Sequence, residues 1–595
     1  MAKSDRVTFT CDGQAVDVAV QPGASLLDVL RESLGHRSVK DGCAPQGQCG
    51  CCTVLVDGEA RVACVTPAAR IAGRSITTLD GLAPALRDRL AEAFVATGGS
   101  QCGFCTPGIV VRAASALAHG RDLGATGDRV LAAHLCRCTG WQTIREAFTR
   151  AARPIPPLPP FDALAPESTA AVDSGANAGE GARDLGAAAR RATLESGVAQ
   201  GVDVRVPLGE GAFADDTAPP GALVAVPLPP GSDGPSVEAA GHRWVVRESL
   251  LEARAAAGKV QGRRTTRAPE PPLGPPTAPG GGVALATGWV EPAYLEPDAS
   301  WCEPGGEPAS PLANGGAFGG KATSLAPAAA RALAGELGRA VRVVFSREDV
   351  VRLGPKRPPI AAAAVLRGSR LEIRGVVVGD EQPGPGAAIP YAFEGVDETW
   401  TSAKVAGPST SARLRAWPLA ERTVLLEGAL AAAGIDRSAL AVDDRVRSVL
   451  LDVCALEPTS GAAAGARVGV DATAGRVADV DVRVAAGDPL DEITLRSYCI
   501  GAAHMALGWV LSEGLTVDAD TGEVLDLTIR SFGILRAQDM PPVTVTIVDD
   551  PGEPRAPASD AVFAAVAAAT WNAITAASGL RPTRFPARHW MRPSP

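Results

Sequence analysis

The chain has 595 residues, a hydrophobic fraction of 46%, an aromatic fraction of 4% and a formal net charge of −9. This length predicts roughly two to four domains, and the negative charge argues against nucleic-acid binding and fits an ordinary soluble protein. No apolar run approaches the roughly 18 residues free of charge and proline that a membrane-spanning helix needs, so we expect no membrane span.

The first eighty residues carry signals for strands and one helix. Two Asp-Gly dipeptides, at 12–13 and 57–58, each predict a β-hairpin because both residues suit a two-residue turn. Ser25 is a candidate N-cap for a helix that runs to about residue 34, with Asp28 three residues after the cap. The predicted hairpin strands are residues 6–10 with 15–20, and residues 53–56 with 61–65.

Four cysteines in this region form the first of two sets. Cys43, Cys49, Cys52 and Cys64 have a spacing close to the plant-type ferredoxin pattern of C-x4-C-x2-C with a distant fourth cysteine. Five residues instead of four separate Cys43 from Cys49, and Cys51 is an extra thiol. We choose Cys52 because it keeps the x2 spacing and directly precedes a predicted strand, which makes Cys51 a neighbour and not a ligand.

Residues 81–155 change to helical periodicity and contain the second set of four cysteines. Thr106-Pro107 predicts the start of one helix and Thr139 the start of the next, so both cysteine pairs precede helix N-termini. The positive end of a helix dipole favours thiolate there. The cysteines of this set are Cys102, Cys105, Cys136 and Cys138.

Two sets of four thiolates predict two [2Fe-2S] clusters, and two clusters close together in sequence predict a protein that moves electrons one at a time. Disulfides are disfavoured because they need an oxidising compartment, and the chain starts MAKSDRVTFT without an apolar signal segment. Zinc is the serious alternative because CxxC pairs also bind zinc. The ferredoxin-like context of the first set favours iron.

The composition changes after Arg153. The stretch PIPPLPPFDALAPE is rich in proline and is followed by a segment rich in alanine and glycine, which together predict a linker over residues 156–195. The hydrophobic fraction beyond the linker is sufficient for globular cores, although much of it is alanine.

Three N-terminal segments resemble the iron–sulfur part of the xanthine oxidase family of molybdenum hydroxylases. They are KDGCAPQGQCGCCTVLVDG (40–58), SQCGFCTPGIVVR (100–112) and LCRCTGWQTI (135–144). The resemblance implies a ferredoxin-like domain followed by a helical bundle, with the bundle cluster nearest the molybdenum and the other cluster nearer a flavin. It also implies that Gln101 contacts a molybdopterin; the alternative is a surface glutamine.

The C-terminal three-quarters resemble the molybdenum-binding domain of the same family in several places. The clearest is the Gly-rich segment NGGAFGGK (314–321), whose backbone N–H groups would approach a pterin or an oxo ligand closely. Its alternative interpretation is a flexible turn. The implied cofactor-binding residues of this segment are Gly315, Gly316, Phe318 and Gly319. Further resemblances cover residues 209–228, 288–302, 346–359, 505–526 and 536–554.

The departures from the family are also informative. SARLRAWPLAERT (411–423) lacks the glycines of a cofactor-binding segment, and Ser497-Tyr498 replaces a late Gly-Gln pair. Glu553 is a weak candidate for the family's general base, because Gly552 and Pro554 keep only part of its setting. A solvated carboxylate in a Pro-Gly turn is the favoured interpretation of Glu553. These losses predict a degenerate molybdenum domain.

The resemblance and the residue patterns together predict an α+β multidomain fold. It comprises a ferredoxin-like β-grasp domain, a four-helix [2Fe-2S] bundle and a mixed α+β molybdopterin-domain-like region. The predicted boundaries are 1–80 for the ferredoxin-like domain, 81–155 for the bundle, 156–195 for the linker, 196–265 for a hammerhead-like remnant and 266–595 for the molybdopterin-binding-like domain.

The first functional hypothesis is an electron-transfer subunit of a heteromeric, cytoplasmic molybdenum hydroxylase. Molybdopterin and FAD would then be held by a molybdenum subunit and a flavin subunit, and the substrate would be a purine, another N-heterocycle or an aldehyde. The second is a compact hydroxylase that binds its own molybdopterin, with Glu553 as the base. The third is a non-catalytic redox scaffold or sensor.

Overall fold

The computed structural model describes residues 5–152, 183–229, 231–258, 262, 264–310, 316–317, 319–379 and 389–590. These residues form four β-sheets with helices packed against them. The expectation of an α+β multidomain fold is therefore confirmed. One apolar core extends from the helical bundle into the C-terminal sheets, and smaller clusters lie under the first two sheets.

The N-terminal sheet has the strand order β2-β1-β5-β3-β4. Its two Asp-Gly turns were predicted from sequence and are confirmed, with φ of 50° at Asp12, 79° at Gly13, 51° at Asp57 and 80° at Gly58. Positive φ at both central residues is the geometry that matches the twist of a hairpin. The strands are β1 (Asp5–Cys11), β2 (Gln14–Val20), β3 (Thr53–Val56), β4 (Glu59–Val62) and β5 (Ser75–Thr77).

The predicted helix after Ser25 is also present. It begins as α1 (Leu26–Asp28) and continues as a π-helical turn, Val29–Ser33. Ser25 and Asp28 form a reciprocal capping box, in which the Ser25 N–H donates to Asp28 Oδ2 at 2.8 Å. The strand predicted at 61–65 is shorter than expected, because a 3-10 turn, Ala63–Val65, replaces its end.

Four helices form the predicted bundle: α2 (Pro84–Thr97), α3 (Thr106–Ala118), α4 (Leu123–Leu131) and α5 (Gln142–Ala151). The start of α5 differs from the prediction at Thr139. Trp141 has a φ of 69°, which is incompatible with a helix, so α5 begins only at Gln142. The Thr139 hydroxyl lies 3.1 Å from Cys136 Sγ instead of capping α5.

The end of the segment predicted as a linker, 156–195, is helical. Helix α6 spans Leu185–Ser196, and the Asp184 carboxylate caps it by accepting from the Ala187 N–H at 2.9 Å. Alanine and arginine dominate α6, and both are strong helix formers once a cap is in place. The Pro-rich part of the predicted linker lies outside the described residues, which resume at 183.

The second sheet has the order β10-β11-β6-β8-β7 and combines strands from both sides of the boundary predicted at 265/266. Two of its strands come after residue 298, so the region predicted as a hammerhead-like remnant shares its sheet with the following region. The elements are β6 (Leu223–Pro227), β7 (Val237–Ala239), β8 (His242–Arg247), β10 (Ala299–Cys302), β11 (Val341–Val344), α7 (Leu250–Ala256), α8 (Ala326–Leu337) and α9 (Arg347–Leu353).

The third and fourth sheets and four helices form the C-terminal region. The third sheet has the order β14-β13-β12-β9-β19 and the fourth β15-β16-β17-β18. The strands are β9 (Val283–Thr287), β12 (Ile360–Arg367), β13 (Arg370–Val378), β14 (Gly395–Ala403), β15 (Val453–Leu456), β16 (Ala463–Asp471), β17 (Arg476–Ala485), β18 (Val543–Ile547) and β19 (Arg584–Phe585). The helices are α10 (Ala416–Ala433), α11 (Asp444–Val449), α12 (Glu492–Leu511) and α13 (Ala558–Ser578).

The expectation that no apolar run approaches membrane-spanning length was wrong, because helix α13 is long and apolar enough to cross a membrane, and within the described ranges it alone meets that test. Its most apolar window is 67% buried inside the protein, and Phe563 and Trp571 are fully buried. Trp417 of α10 packs on Phe563 with ring centroids 5.1 Å apart. This packing identifies α13 as a core helix.

Candidate functional site

The first predicted cysteine set converges in the ferredoxin-like domain. Cys43, Cys49, Cys52 and Cys64 are all buried, and they come from the Gly-rich loop before β3 and the 3-10 turn after β4. The N–H groups of Gln48 and Cys49 both donate to Cys43 Sγ at 3.3 Å. The Cys64 N–H donates to Cys52 Sγ at 3.5 Å. Thiol–thiol hydrogen bonds of Cys43 with Cys49 and Cys64, and of Cys64 with Cys52, bring the four sulfurs together.

The thiols of this set also influence one another's proton affinity. Hydrogen bonds from the Cys49 and Cys64 thiols hold the pKa of Cys43 well below its usual range, against the effect of burial. The hydrogen bonds that Cys49 and Cys64 make to Cys43 raise the pKa of both thiols, and burial adds to the rise. One sulfur of the group therefore carries negative charge most readily, and its neighbours act as proton donors to it.

Cys51 was interpreted as a neighbour and not a ligand. Its sulfur lies 3.9 Å from the carbonyl oxygen of Cys49, whereas Cys52 Sγ accepts the N–H of Cys64. The structure therefore places Cys52, and not Cys51, beside the fourth cysteine of the set. The ligand assignment itself remains a prediction.

The second predicted set converges in the bundle. Cys102 Sγ and Cys138 Sγ are 3.5 Å apart, and Cys105 is the N-cap residue of α3. The thiol of Cys105, opposed by burial and assisted by the Thr139 hydroxyl, lowers the pKa of Cys136 to about 6. All four cysteines of this set are buried.

His134 lies against the first cysteine loop, two positions before Cys136 in the sequence, and is 1% exposed. Burial, with Arg112 and Arg530 nearby, lowers the pKa of His134 to about 3. Neither ring nitrogen has a hydrogen-bond partner in the part of the chain that the structure describes. A Cβ on Gly50 would stand 2.4 Å from His134 Nδ1, so the imidazole packs directly on this glycine of the first cysteine loop.

The donor sets fit [2Fe-2S] clusters. Each set supplies four buried cysteine sulfurs, the number that such a cluster requires. Backbone N–H groups already point at Cys43 and Cys52, which is the arrangement that stabilises cluster charge. All thirteen cysteines lie among the described residues, and none forms a disulfide.

A cavity of about 160 Å³ adjoins the second set, because Cys138 forms part of its wall. Three predicted cofactor-binding residues, Gln101, Gly316 and Gly319, also line it. Gly315 and Phe318 lie outside the described residues. The structure thus brings together a bundle residue and a C-terminal glycine loop that are more than 200 positions apart in the sequence.

Gln101 is held in place by its amide. Its Nε2 donates to the carbonyl oxygen of Cys138 at 2.9 Å and lies 3.0 Å from Ser497 Oγ. Ser497 is one of the two residues that replace the family's Gly-Gln pair, and its neighbour Tyr498 lines the cavity. The substituted pair therefore still lies at this site.

Glu553 lies apart from the cavity. It is exposed in the turn that precedes α13 and does not line the cavity wall. A solvent-exposed position agrees with the favoured interpretation of this carboxylate as solvated.

Several cavity residues were not singled out from sequence, and three of them are polar or charged residues near the N-terminus of α13: Glu195, Arg415 and Ser559. Glu195 is fully buried and accepts the N–H groups of Ala558 at 3.1 Å and Ser559 at 3.0 Å, which places its carboxylate at the N-terminus of α13. No local pattern reveals this contact, since Glu195 lies in the segment predicted as a linker. The sequence carried one signal for the helix that bears Glu195, which is the Asp184 N-cap.

Arg415 connects the cavity to a perturbed carboxyl group. Its Nε donates to Asp560 Oδ2 at 3.0 Å. Burial raises the pKa of Asp560 to about 7, although the Arg415 cation opposes the rise. A carboxyl group with a pKa near neutrality beside a cavity is suited to proton exchange.

The residue types around the cavity fit the polar edge of a pterin. Gln101, Arg415 and Tyr498 place polar side chains on the cavity wall, with donors that also bond within the chain, and Gly316 and Gly319 let the backbone approach. The volume of about 160 Å³ is smaller than the roughly 300–1,000 Å³ typical of ligand sites. The fit is therefore to the pterin edge and not to a whole nucleotide-extended cofactor.

Two family models match the N-terminal quarter. A 2Fe-2S iron-sulfur cluster binding domain matches residues 9–73, and a [2Fe-2S] binding domain matches residues 78–149. The xanthine dehydrogenase iron-sulfur-binding subunit of Escherichia coli O157:H7 is 41% identical over 150 residues, which is 24% of this chain and 93% of that protein. The aldehyde oxidoreductase of Megalodesulfovibrio gigas is 41% identical over 149 residues, 24% of this chain but 16% of that protein.

The whole chain also resembles solved structures. The aldehyde oxidoreductase from Desulfovibrio gigas superposes with a TM-score of 0.73 at 16% identity, over 98% of this chain and 99% of that chain. The enzyme from Desulfovibrio desulfuricans gives 0.70 at 16% identity, with the same coverage of both chains. At this identity the likeness establishes the fold. With the subunit match, it shows that the chain is an oxidoreductase with two iron–sulfur domains and belongs to the xanthine oxidase family of molybdenum hydroxylases.

Proposed function

We propose that this chain is a compact hydroxylase-type oxidoreductase that binds its own molybdenum–pterin cofactor at the cavity beside Cys138. The observation that carries the proposal is that Cys138 of the bundle set lines the same cavity as Gln101, Gly316 and Gly319. Electrons leaving the cavity would reach the bundle cluster first and the ferredoxin-domain cluster second.

When bound, the cofactor supplies the two-electron hydroxylation of an aldehyde, a purine or another N-heterocycle. Gln101 would orient the pterin edge, because its amide is already fixed by Cys138 and Ser497. Arg415 would hold negative charge on the cofactor and keep its charge throughout, while the Asp560 carboxyl group, which Arg415 holds by an ion pair, would take up and release the proton. The cluster sulfurs would hold iron in a buried environment that excludes water.

The second candidate is the electron-transfer subunit of a heteromer, with molybdopterin and FAD on partner subunits. It is favoured by the Escherichia coli relative, whose name is that of an iron–sulfur subunit and which corresponds to a quarter of this chain. The small cavity and the engagement of Glu195 by α13 also support it. In either case we propose a cytoplasmic location, since a reducing compartment preserves free thiols before cluster assembly.

Metal analysis of the chain purified alone and without oxygen separates the two candidates. The proposed function predicts about four iron atoms and about one molybdenum atom per chain. About four iron atoms without molybdenum would overturn it and support the electron-transfer subunit. Failure of substrate to reduce the clusters, in the chain alone and in any assembled complex, would leave only a redox scaffold.

A further inference from the structure

The strongest unexplained feature outside the cavity is the imidazole of His134. It is 1% exposed, and neither Nδ1 nor Nε2 has a hydrogen-bond partner among the described residues. Every protonation state of histidine carries at least one N–H donor. A buried donor without an acceptor is costly, so such a group usually has a partner that the polypeptide does not supply.

The position of His134 indicates which partner is missing. The imidazole packs on Gly50, where a Cβ would lie 2.4 Å from Nδ1, and Gly50 follows Cys49 directly. The next residue, Leu135, donates its N–H to the carbonyl oxygen of Cys49 at 3.0 Å. His134 therefore lies against the loop that carries three of the four cysteines of the first set.

The contact between His134 and this loop is held firmly. Arg530 bridges the two chain segments, because its Nε donates to the carbonyl oxygen of Gln48 at 2.9 Å and its Nη2 to that of Ala132 at 3.0 Å. The fixed backbone leaves the imidazole little freedom to turn toward solvent. Its N–H can therefore be directed only at groups within the buried region around the cysteine loop.

We propose that His134 donates a hydrogen bond to an inorganic sulfide of the cluster held by Cys43, Cys49, Cys52 and Cys64, because none of the described cysteine sulfurs accepts from it. The inference depends on cluster binding but not on which subunit holds the molybdenum. A donor to sulfur stabilises the reduced cluster more than the oxidised one, because the reduced cluster carries one more negative charge. His134 is thus a positioning residue that raises the reduction potential of the ferredoxin-domain cluster and favours electron flow toward it.

The test is a redox titration of the full chain, purified without oxygen and followed by electron paramagnetic resonance. His134→Leu removes the donor and keeps the bulk, and we expect it to make reduction of the ferredoxin-domain cluster about tenfold less favourable, a shift of about 59 mV. His134→Asn keeps an N–H donor and should shift the reduction potential of this cluster less. His119→Leu, which removes an exposed imidazole of the same bundle, should leave both potentials unchanged.

Iron content distinguishes this inference from cluster binding itself, because about four iron atoms per chain show that both clusters are present. Unchanged potentials in His134→Leu at that iron content would overturn the inference. A shift confined to the bundle cluster would also overturn it.

A second measurement needs no variant. Wild-type protein labelled with ¹⁵N-histidine should show a histidine nitrogen coupling on the reduced ferredoxin-domain cluster by pulsed electron paramagnetic resonance. Absence of that coupling would contradict the hydrogen bond even if His134→Leu failed to assemble its clusters.

Discussion

Arg137 and Glu513 form a buried ion pair that joins the bundle to the C-terminal region. Arg137 Nη1 lies 2.5 Å from Glu513 Oε1 and Nη2 lies 2.7 Å from Oε2, and the two side chains are 0% and 3% exposed. Arg137 stands between Cys136 and Cys138, and its Nε also donates to the carbonyl oxygen of Pro292 at 3.0 Å. The second cysteine set is therefore anchored directly to the region that forms the cavity.

Replacing Glu513 by Gln should destabilise the protein strongly. The change leaves the Arg137 guanidinium buried without its counter-ion, and breaking such a pair typically costs about 3–5 kcal/mol. The free energy of unfolding in urea would measure the loss. We also expect the bundle cluster to be lost at lower urea concentration than the ferredoxin-domain cluster, because the anchor lies between two cysteines of the bundle set.

The matched control is Glu146→Gln. Glu146 pairs with Arg496 across the same two regions, but its side chain is 36% exposed and that of Arg496 is 32% exposed. Exposed pairs contribute about 0–1 kcal/mol. Equal losses of unfolding free energy in the two variants would show that burial of the Arg137 pair does not add to its contribution to stability.

Cys49→Ser and Cys51→Ser should have different effects on iron content. Cys49 belongs to the first converging set, so its replacement should reduce iron from about four to about two atoms per chain. Cys51 lies outside that set, so its variant should keep about four. Iron and acid-labile sulfide analysis would measure both. Loss of a cluster in Cys51→Ser with retention in Cys52→Ser would reverse the assignment of the third ligand.

Local sequence signals predicted the N-terminal quarter well because turns and caps there are decided within a few residues. The Asp-Gly turns and the Ser25–Asp28 capping box are examples. Thr139 was misplaced as a helix start because its hydroxyl is used by the Cys136 sulfur, a choice that depends on the fold around the cluster site. Cysteine spacing indicated both sets because four thiols must meet at one point.

The cavity was only partly predictable. Gln101, Gly316 and Gly319 were expected from their resemblance to family segments, and they do meet. Glu195 was missed because its partners, the N–H groups of Ala558 and Ser559, lie more than 360 positions away. The sheet that combines β6 with β11 was missed for the same reason, since only long-range pairing brings Leu223–Pro227 beside Val341–Val344.

Gly319→Ala should disrupt the cavity loop more than an ordinary glycine replacement does. Gly319 has a φ of 86°, and a Cβ there would lie 2.1 Å from the carbonyl oxygen of Arg413. The loop must move away from the segment that carries Arg415, which lowers the melting temperature and, if the chain binds molybdenum, its molybdenum content. Differential scanning calorimetry and metal analysis would measure these effects.

Gly305→Ala is the control for backbone strain. Gly305 also has a positive φ, 75°, but a Cβ there would meet no atom within 4 Å. The left-handed conformation alone costs about 1–2 kcal/mol. Similar losses in both variants would show that the Arg413 contact does not constrain the loop.

Asp560 should make the stability of the protein depend on pH. Its pKa in the folded chain is about 7, compared with 3.8 for an unperturbed aspartate, because burial outweighs the Arg415 cation. Between these values the folded state keeps a proton that the unfolded state has lost. Stability therefore falls as pH rises from about 4 to about 7, by about 1.4 kcal/mol per pH unit from this group, and the loss is complete above the folded pKa.

Asp560→Asn should remove this contribution, because the amide does not ionise. The free energy of unfolding should be measured in urea from pH 4 to pH 8. It should be similar for the two proteins near pH 4 and diverge toward pH 7, because the variant loses less stability than the wild type. Asp128→Asn, at a more exposed carboxylate paired with Arg145, should follow the wild-type curve. Parallel curves for Asp560→Asn and the wild type would contradict the raised pKa and would remove Asp560 as a proton-exchanging group beside the cavity.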